Sequence, residues 1–194
     1  MDAAISTLKV VHVLTAVLMA WPFYALVVVN QRARLGPPLG DRVDTFLENT
    51  IKNRAVPCFV FQATALLSGL LLVVMRGFSL SFISNPILAG KLALLVLVAG
   101  SLSYVMSTIQ PQLDSLFVRL ASSAASPDVA AKIAALRLRR KRMASACLFS
   151  VLSAAMLGVQ VWTPFPGYLT FILLLAIAAF VWRAYATVIP YGWV

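Results

Sequence analysis

The sequence predicts an all-α protein, an integral membrane bundle of five transmembrane helices with the N-terminus outside and the C-terminus cytoplasmic. Three observations predict it. Of the 194 residues, 61% are hydrophobic and only 11% charged, where soluble domains carry about 25% charge. Uncharged windows of bilayer-spanning length recur along the chain. The basic residues gather in two of the connections between those windows.

The windows define the elements in order. Between Lys9 and Arg32 lie 22 uncharged residues, between Arg54 and Arg76 lie 21, and between Lys91 and Asp114 lie 22; a spanning helix needs about 20. These give spans near residues 10–30, 55–75 and 88–109 of a single transmembrane domain that covers 1–194. Between Arg142 and Arg183 run 40 uncharged residues, broken by Thr163-Pro164-Phe165-Pro166-Gly167-Tyr168, a turn and not a helix interior. That window holds two spans, near 143–163 and 168–189. Trp21-Pro22 is expected to kink the first helix. The segment MDAAISTLK is acidic before it is basic, with no small-residue cleavage site after the apolar run, so no removable signal peptide is expected.

The connections 31–54 and 110–142 set the orientation. The first carries Arg32, Arg34, Arg42, Lys52 and Arg54; the second carries Arg119, Lys132, Arg137, Arg139, Arg140, Lys141 and Arg142. Both are therefore expected in the cytoplasm. Trp162 and Tyr168 then fall at the outer interface, and Tyr185, Tyr191 and Trp193 at the inner one; Arg183, near the inner end of the fifth helix, snorkels to the headgroups. The expected location is the bacterial inner membrane, crossed several times.

Local signals shape these connections. Gly36-Pro37-Pro38-Leu39-Gly40 makes a stiff turn, and Asp41 is placed to cap a short helix lying on the membrane, with Val43, Leu47 and Ile51 on one face and Asp44 and Glu48 on another. Ser126-Pro127-Asp128 reads as cap, first helical residue and first-turn acid of a helix that continues through the basic stretch into the fourth span.

Several function classes are excluded. Cys58 and Cys147 are far apart and the chain has one His, too few ligands for a zinc or iron–sulfur site. No Asp or Glu is embedded in the spans, which counts against proton pumps and ion-coupled transporters. The scattered methionines lack the clustering of a copper pathway. The +10 net charge belongs to cytoplasmic loops, and no nucleic-acid reading motif surrounds it.

Four groups remain as candidate sites. His12, inside the first span, needs a partner or a ligand; a neutral imidazole can give one axial bond to the metal of a haem or bacteriochlorophyll, or simply pack with a hydrogen bond. Lys9 and Lys91, at the outer ends of their helices, can face propionate or phosphate groups of such a cofactor, or snorkel. Asp41, Asp44 and Glu48 form an acidic cluster in which Asp44 and Glu48 have the spacing of a hard-cation site, but Arg42 and Lys52 beside them favour a solvated, salt-bridged face. Arg137, Arg139, Arg140, Lys141 and Arg142 form a cluster expected to bind anionic lipid headgroups. Ser150, Ala154 and Gly158, four residues apart, mark a close helix contact.

Leu8-Lys9-Val10-Val11-His12 with Trp21-Pro22-Phe23-Tyr24, and Gly90-Lys91-Leu92-Ala93-Leu94-Leu95-Val96-Leu97-Val98, resemble stretches of small polytopic bacterial membrane proteins of the copper-resistance D and HemJ-type group. The resemblance covers two short stretches, under a third of the chain. It implies four or five packed helices, with His12 as a haem ligand and Lys91 as a cation beside the cofactor. A second His expected about three turns after the Lys is replaced here by Leu102-Ser103-Tyr104. That leaves a five-coordinate porphyrin, a site completed by another subunit, or a scaffold without cofactor.

The expected function is that of a non-catalytic membrane subunit of a larger energy-transducing or photosynthetic complex, in contact with lipids and other subunits and tetrapyrrole-associated through His12. The alternative is a HemJ-like haem-binding protoporphyrinogen oxidase.

Overall fold

The computed structural model describes residues 2–30, 41–52, 55–75, 85–122 and 127–187. Seven α-helices occupy them: α1 Asp2–Val29, α2 Arg42–Lys52, α3 Ala55–Met75, α4 Pro86–Tyr104, α5 Gln110–Ser122, α6 Pro127–Trp162 and α7 Gly167–Ala186. Five helical stretches are long and apolar enough to cross a membrane, and α4 with α5 makes one of them. The expected turn at Gly36–Gly40, Ser126 of the expected cap, and Tyr191 and Trp193 lie outside the described residues.

Local chemistry sets the helix ends. The Asp41 carboxylate accepts the Asp44 N–H at 2.7 Å and so caps α2, as its position before the helix predicts. Asn85 caps α4 in the same way, accepting the Leu88 N–H at 3.3 Å with Pro86 behind it. Pro164 and Pro166 stop α6 and open α7, and Gln160 donates to the Thr170 hydroxyl at 3.0 Å across that hairpin. Helix α1 runs through Pro22 without a break.

Between α4 and α5 the helix widens into a π turn, Val105–Ile109, closed by the Gln110 N–H on the Val105 carbonyl. Such turns are rare and concentrate where a side chain must be re-aimed. This one directs Gln110 and Leu113, both buried, toward the interior.

Helix α6 is the central element, packed against α1, α4 and α7, while α3 lies on α1 and touches α4. The four helices α1, α3, α4 and α6 close a ring, with α7 outside against α6 and α1. The main core joins Met19, Phe23 and Val27 of α1 to Val98 and Leu102 of α4 and to Cys147, Leu148 and Val151 of α6. Tyr24 stacks on Phe180 at 6.1 Å to seat α7. A second cluster, Val105, Ile109, Leu113 and Ile133, holds α5 to the start of α6.

Two expectations are corrected at the end of the bundle that carries α2. That helix does not offer its carboxylates to solvent: Asp44, Glu48 and Ile51 are buried, whereas Val43 and Phe46 point outward at 60% and 68% exposure. Nor does the whole basic run reach headgroups. Arg137 and Arg140 are each 1% exposed and Lys141 is 0% exposed, leaving only Arg139 and Arg142 at the surface. The reason is mutual: each inward carboxylate meets an inward guanidinium, and neither is buried unpaired.

Candidate functional site

Two polar assemblies sit inside the bundle, one at each end. At the end away from α2, His12 on α1 faces α3, and its Nδ1 lies 2.9 Å from the Ser68 hydroxyl. Ser68 donates its only proton to the Thr64 carbonyl at 2.6 Å, so toward His12 its oxygen accepts. A proton on Nδ1 satisfies that oxygen, and in this tautomer Nε2 keeps its lone pair; the Ala65 carbonyl is a second acceptor beside the ring. Gly69 makes the close approach: a Cβ there would stand 3.1 Å from the ring carbon Cε1.

The two lysines of this end are held by α6. Lys9 Nζ lies 4.2 Å from the centre of the Trp162 ring, a cation–π contact. The Lys91 side chain lies over Gly158, where a Cβ would come within 3.2 Å of Nζ. The spacing of Ser150, Ala154 and Gly158 thus marks a real contact face of α6, with Gly158 making room for the lysine. Helix α4 packs on α6 rather than beside α1, yet Lys91 comes within electrostatic reach of the His12 ring. Further into the bundle, Gln62 and Ser153 are buried, and the Gln62 amide and Ser153 hydroxyl find no hydrogen-bond partner among the described residues. Gln62 sits six residues from Ser68, about 9 Å along α3.

The second assembly ties four elements together. Arg137 pairs with Asp44 at 2.9 Å and with Glu48 at 2.8 Å. Arg140 reaches Glu48 with two nitrogens, at 2.8 and 2.9 Å. Its Nε donates to the Asn30 side-chain oxygen Oδ1 at 2.9 Å and Nη1 to Gln110 Oε1 at 2.8 Å. The end of α1, the face of α2, the π turn and α6 therefore meet at one guanidinium. Two cations face two anions, so the cluster carries no net charge. Lys141 closes the last helix by donating to the Tyr185 carbonyl at 2.6 Å. Outside the cluster, Lys52 pairs with Asp114 at 2.7 Å and joins α2 to α5.

Helix α2, with four charges in eleven residues, lies outside the apolar windows. Burial on its own raises the Glu48 carboxyl, but the hydrogen bond and charge of Arg140, and then those of Arg137, outweigh it and hold the group below the usual carboxylate range. A lowered folded-state pKa contributes stability that is full above the unfolded value and is lost as pH falls through the folded one. Thermal unfolding of detergent-solubilised protein across an acid series is expected to show this loss below the ordinary carboxylate pKa. Glu48→Gln is expected to flatten that acid limb while lowering stability at neutral pH.

The sequence named His12, Lys9, Lys91 and the basic run, and the structure gathers the first three at one end. It missed Asn30 and Gln110 as Arg140 partners; each stands where a charge-free window closes, which was the available signal. No group of His, Cys, Asp and Glu that would hold a metal ion occurs among the described residues. Comparison with known protein families, with characterised proteins and with solved structures finds no match to this chain.

Proposed function

We infer that this chain is an integral membrane subunit that holds one tetrapyrrole in the half of the bundle away from α2. The observation that carries this reading is the contact of His12 Nδ1 with the Ser68 hydroxyl at 2.9 Å, which in the Nδ1–H tautomer leaves the Nε2 lone pair for a metal. A hydrogen bond on the ring nitrogen far from the metal orients an axial imidazole. Gly69 gives the ring a flat bed, Lys9 and Lys91 supply cations for acidic substituents, and the orphaned Gln62 amide is a buried polar group in want of a partner. These residues fit a haem or a chlorophyll with one axial ligand from this chain. When bound, such a group supplies one-electron transfer or light absorption.

A single axial histidine supports membership of a larger energy-transducing or photosynthetic complex, in which another subunit completes the site. The Lys and Arg of the connections support an orientation with the α2 end in the cytoplasm of a bacterial inner membrane. A HemJ-like oxidase is the second reading, favoured by Lys91 standing within electrostatic reach of His12.

The test is an absorption spectrum of gently purified protein, oxidised and reduced, with solvent extraction of pigment. The expected result is a bound tetrapyrrole that is lost in His12→Ala and retained in Lys9→Ala with weaker affinity. A colourless, folded preparation, or a pigment unchanged in His12→Ala, overturns the assignment. Turnover of protoporphyrinogen by the isolated chain would favour the oxidase.

A further inference from the structure

Beside the buried cluster, α6 and α7 leave an open cleft of about 350 Å³. Arg142, Ala146 and Phe149 line it from α6 at helical spacing, and Ala178, Val181 and Trp182 from α7. The walls are almost wholly apolar, and the one charge is at the rim. Arg142 and Phe149 are seven residues apart, so the cleft follows the helices for about 10 Å. Lys141, the neighbour of Arg142 in sequence, is turned away into the α7 carbonyl and the Tyr185 ring, which leaves Arg142 as the exposed cation over this opening.

We propose that this cleft binds one anionic glycerophospholipid, with the phosphate on Arg142 and an acyl chain along Ala146, Phe149, Ala178 and Val181. An apolar slot between spanning helices, closed on the basic side by an arginine, selects a ligand with a hydrocarbon body and an anionic head. A guanidinium matches phosphate geometry with paired donors. Trp182, 69% exposed, and Tyr185, on the cleft wall, stand where amphipathic rings border the headgroups. Of the five basic residues from 137 to 142, the structure removes three from lipid contact and leaves Arg142 over a slot and Arg139 over the Tyr104 ring at 5.3 Å. The assignment rests on the spanning arrangement and is independent of the tetrapyrrole.

The experiment uses the full chain with Trp182 as its one tryptophan, made by replacing Trp21, Trp162 and Trp193 with phenylalanine, in vesicles of phosphatidylcholine and phosphatidylglycerol. Either lipid carries the bromine, and quenching of Trp182 reads its local share. The expected result is an enrichment of phosphatidylglycerol of about fivefold, equivalent to the roughly 1 kcal/mol of one surface cation. Arg142→Ala abolishes it, and Arg139→Ala leaves it intact. Equal quenching by the two lipids, or a preference that survives Arg142→Ala, overturns the proposal. Absence of quenching by either lipid also overturns it: a single-Trp21 variant, quenched in the same vesicles, would then point to a protein in the cleft, and an unquenched one to a failure of the spanning arrangement itself.

Discussion

Replacing Arg140 with alanine is expected to lower stability by about 3–5 kcal/mol, the range found when one partner of a buried ion pair is removed. The truncation strands Glu48, which receives two hydrogen bonds from this guanidinium, and takes away the donors used by Asn30 and Gln110. Arg137 still covers Glu48 at 2.8 Å, so the loss belongs at the lower end of that range if Arg137 shifts to compensate. The measurement is the unfolding transition in detergent, followed by the helical signal. A second variant separates a lost attraction from a stranded charge: Arg140→Met with Glu48→Gln removes both charges and is expected to recover part of the loss. A single Arg140→Ala variant as stable as the parent would show that the cluster contributes nothing to the fold.

The second large effect is expected at Gly69. A Cβ there stands 3.1 Å from His12 Cε1 and 3.7 Å from Nδ1, so alanine requires the ring to yield by a few tenths of an ångström. Valine adds two branches with no room beside the imidazole. Gly69→Val is expected to cost about 1–3 kcal/mol by overpacking and to push the ring off the Ser68 hydroxyl; under the proposed tetrapyrrole assignment the pigment band is then lost or shifted. Gly100→Val is the control, since a Cβ at Gly100 meets nothing within 4 Å. A melting temperature in Gly69→Val equal to that of Gly100→Val would sink the idea that the α1–α3 contact positions His12.

The five long apolar helical stretches were legible because charge is so costly in hydrocarbon that its absence over about 20 residues marks a helix able to span. The cap at Asp41 and the run of α6 from Pro127 to Trp162 were legible because both depend on residues a few positions apart. The orientation of α2 was not. Its apolar residues predicted a face laid on the membrane with the carboxylates solvated, but Arg137 and Arg140 lie 89 and 92 residues from Glu48, and no local pattern reports a partner at that distance. The basic run misled for the same reason. Five basic residues crowded into six positions look alike in sequence, while a helix turns each position by about 100° and sends Arg137, Arg140 and Lys141 inward and Arg139 and Arg142 outward. His12 could be named as the single embedded imidazole, but its contact with Ser68, 56 residues away, could not.

The wide turn at Val105–Ile109 makes chain length itself a specification. Wound as ordinary helix with the same number of residues, the segment would turn every side chain beyond it by about 100° and lengthen the rod by about 1.5 Å. Gln110 would leave Arg140, Leu113 would leave Ile133, and Lys52 would lose the carboxylate of Asp114, although every one of those residues was still present. In this segment the letters can change more freely than their number, because what the turn encodes is the phase between two halves of one helix.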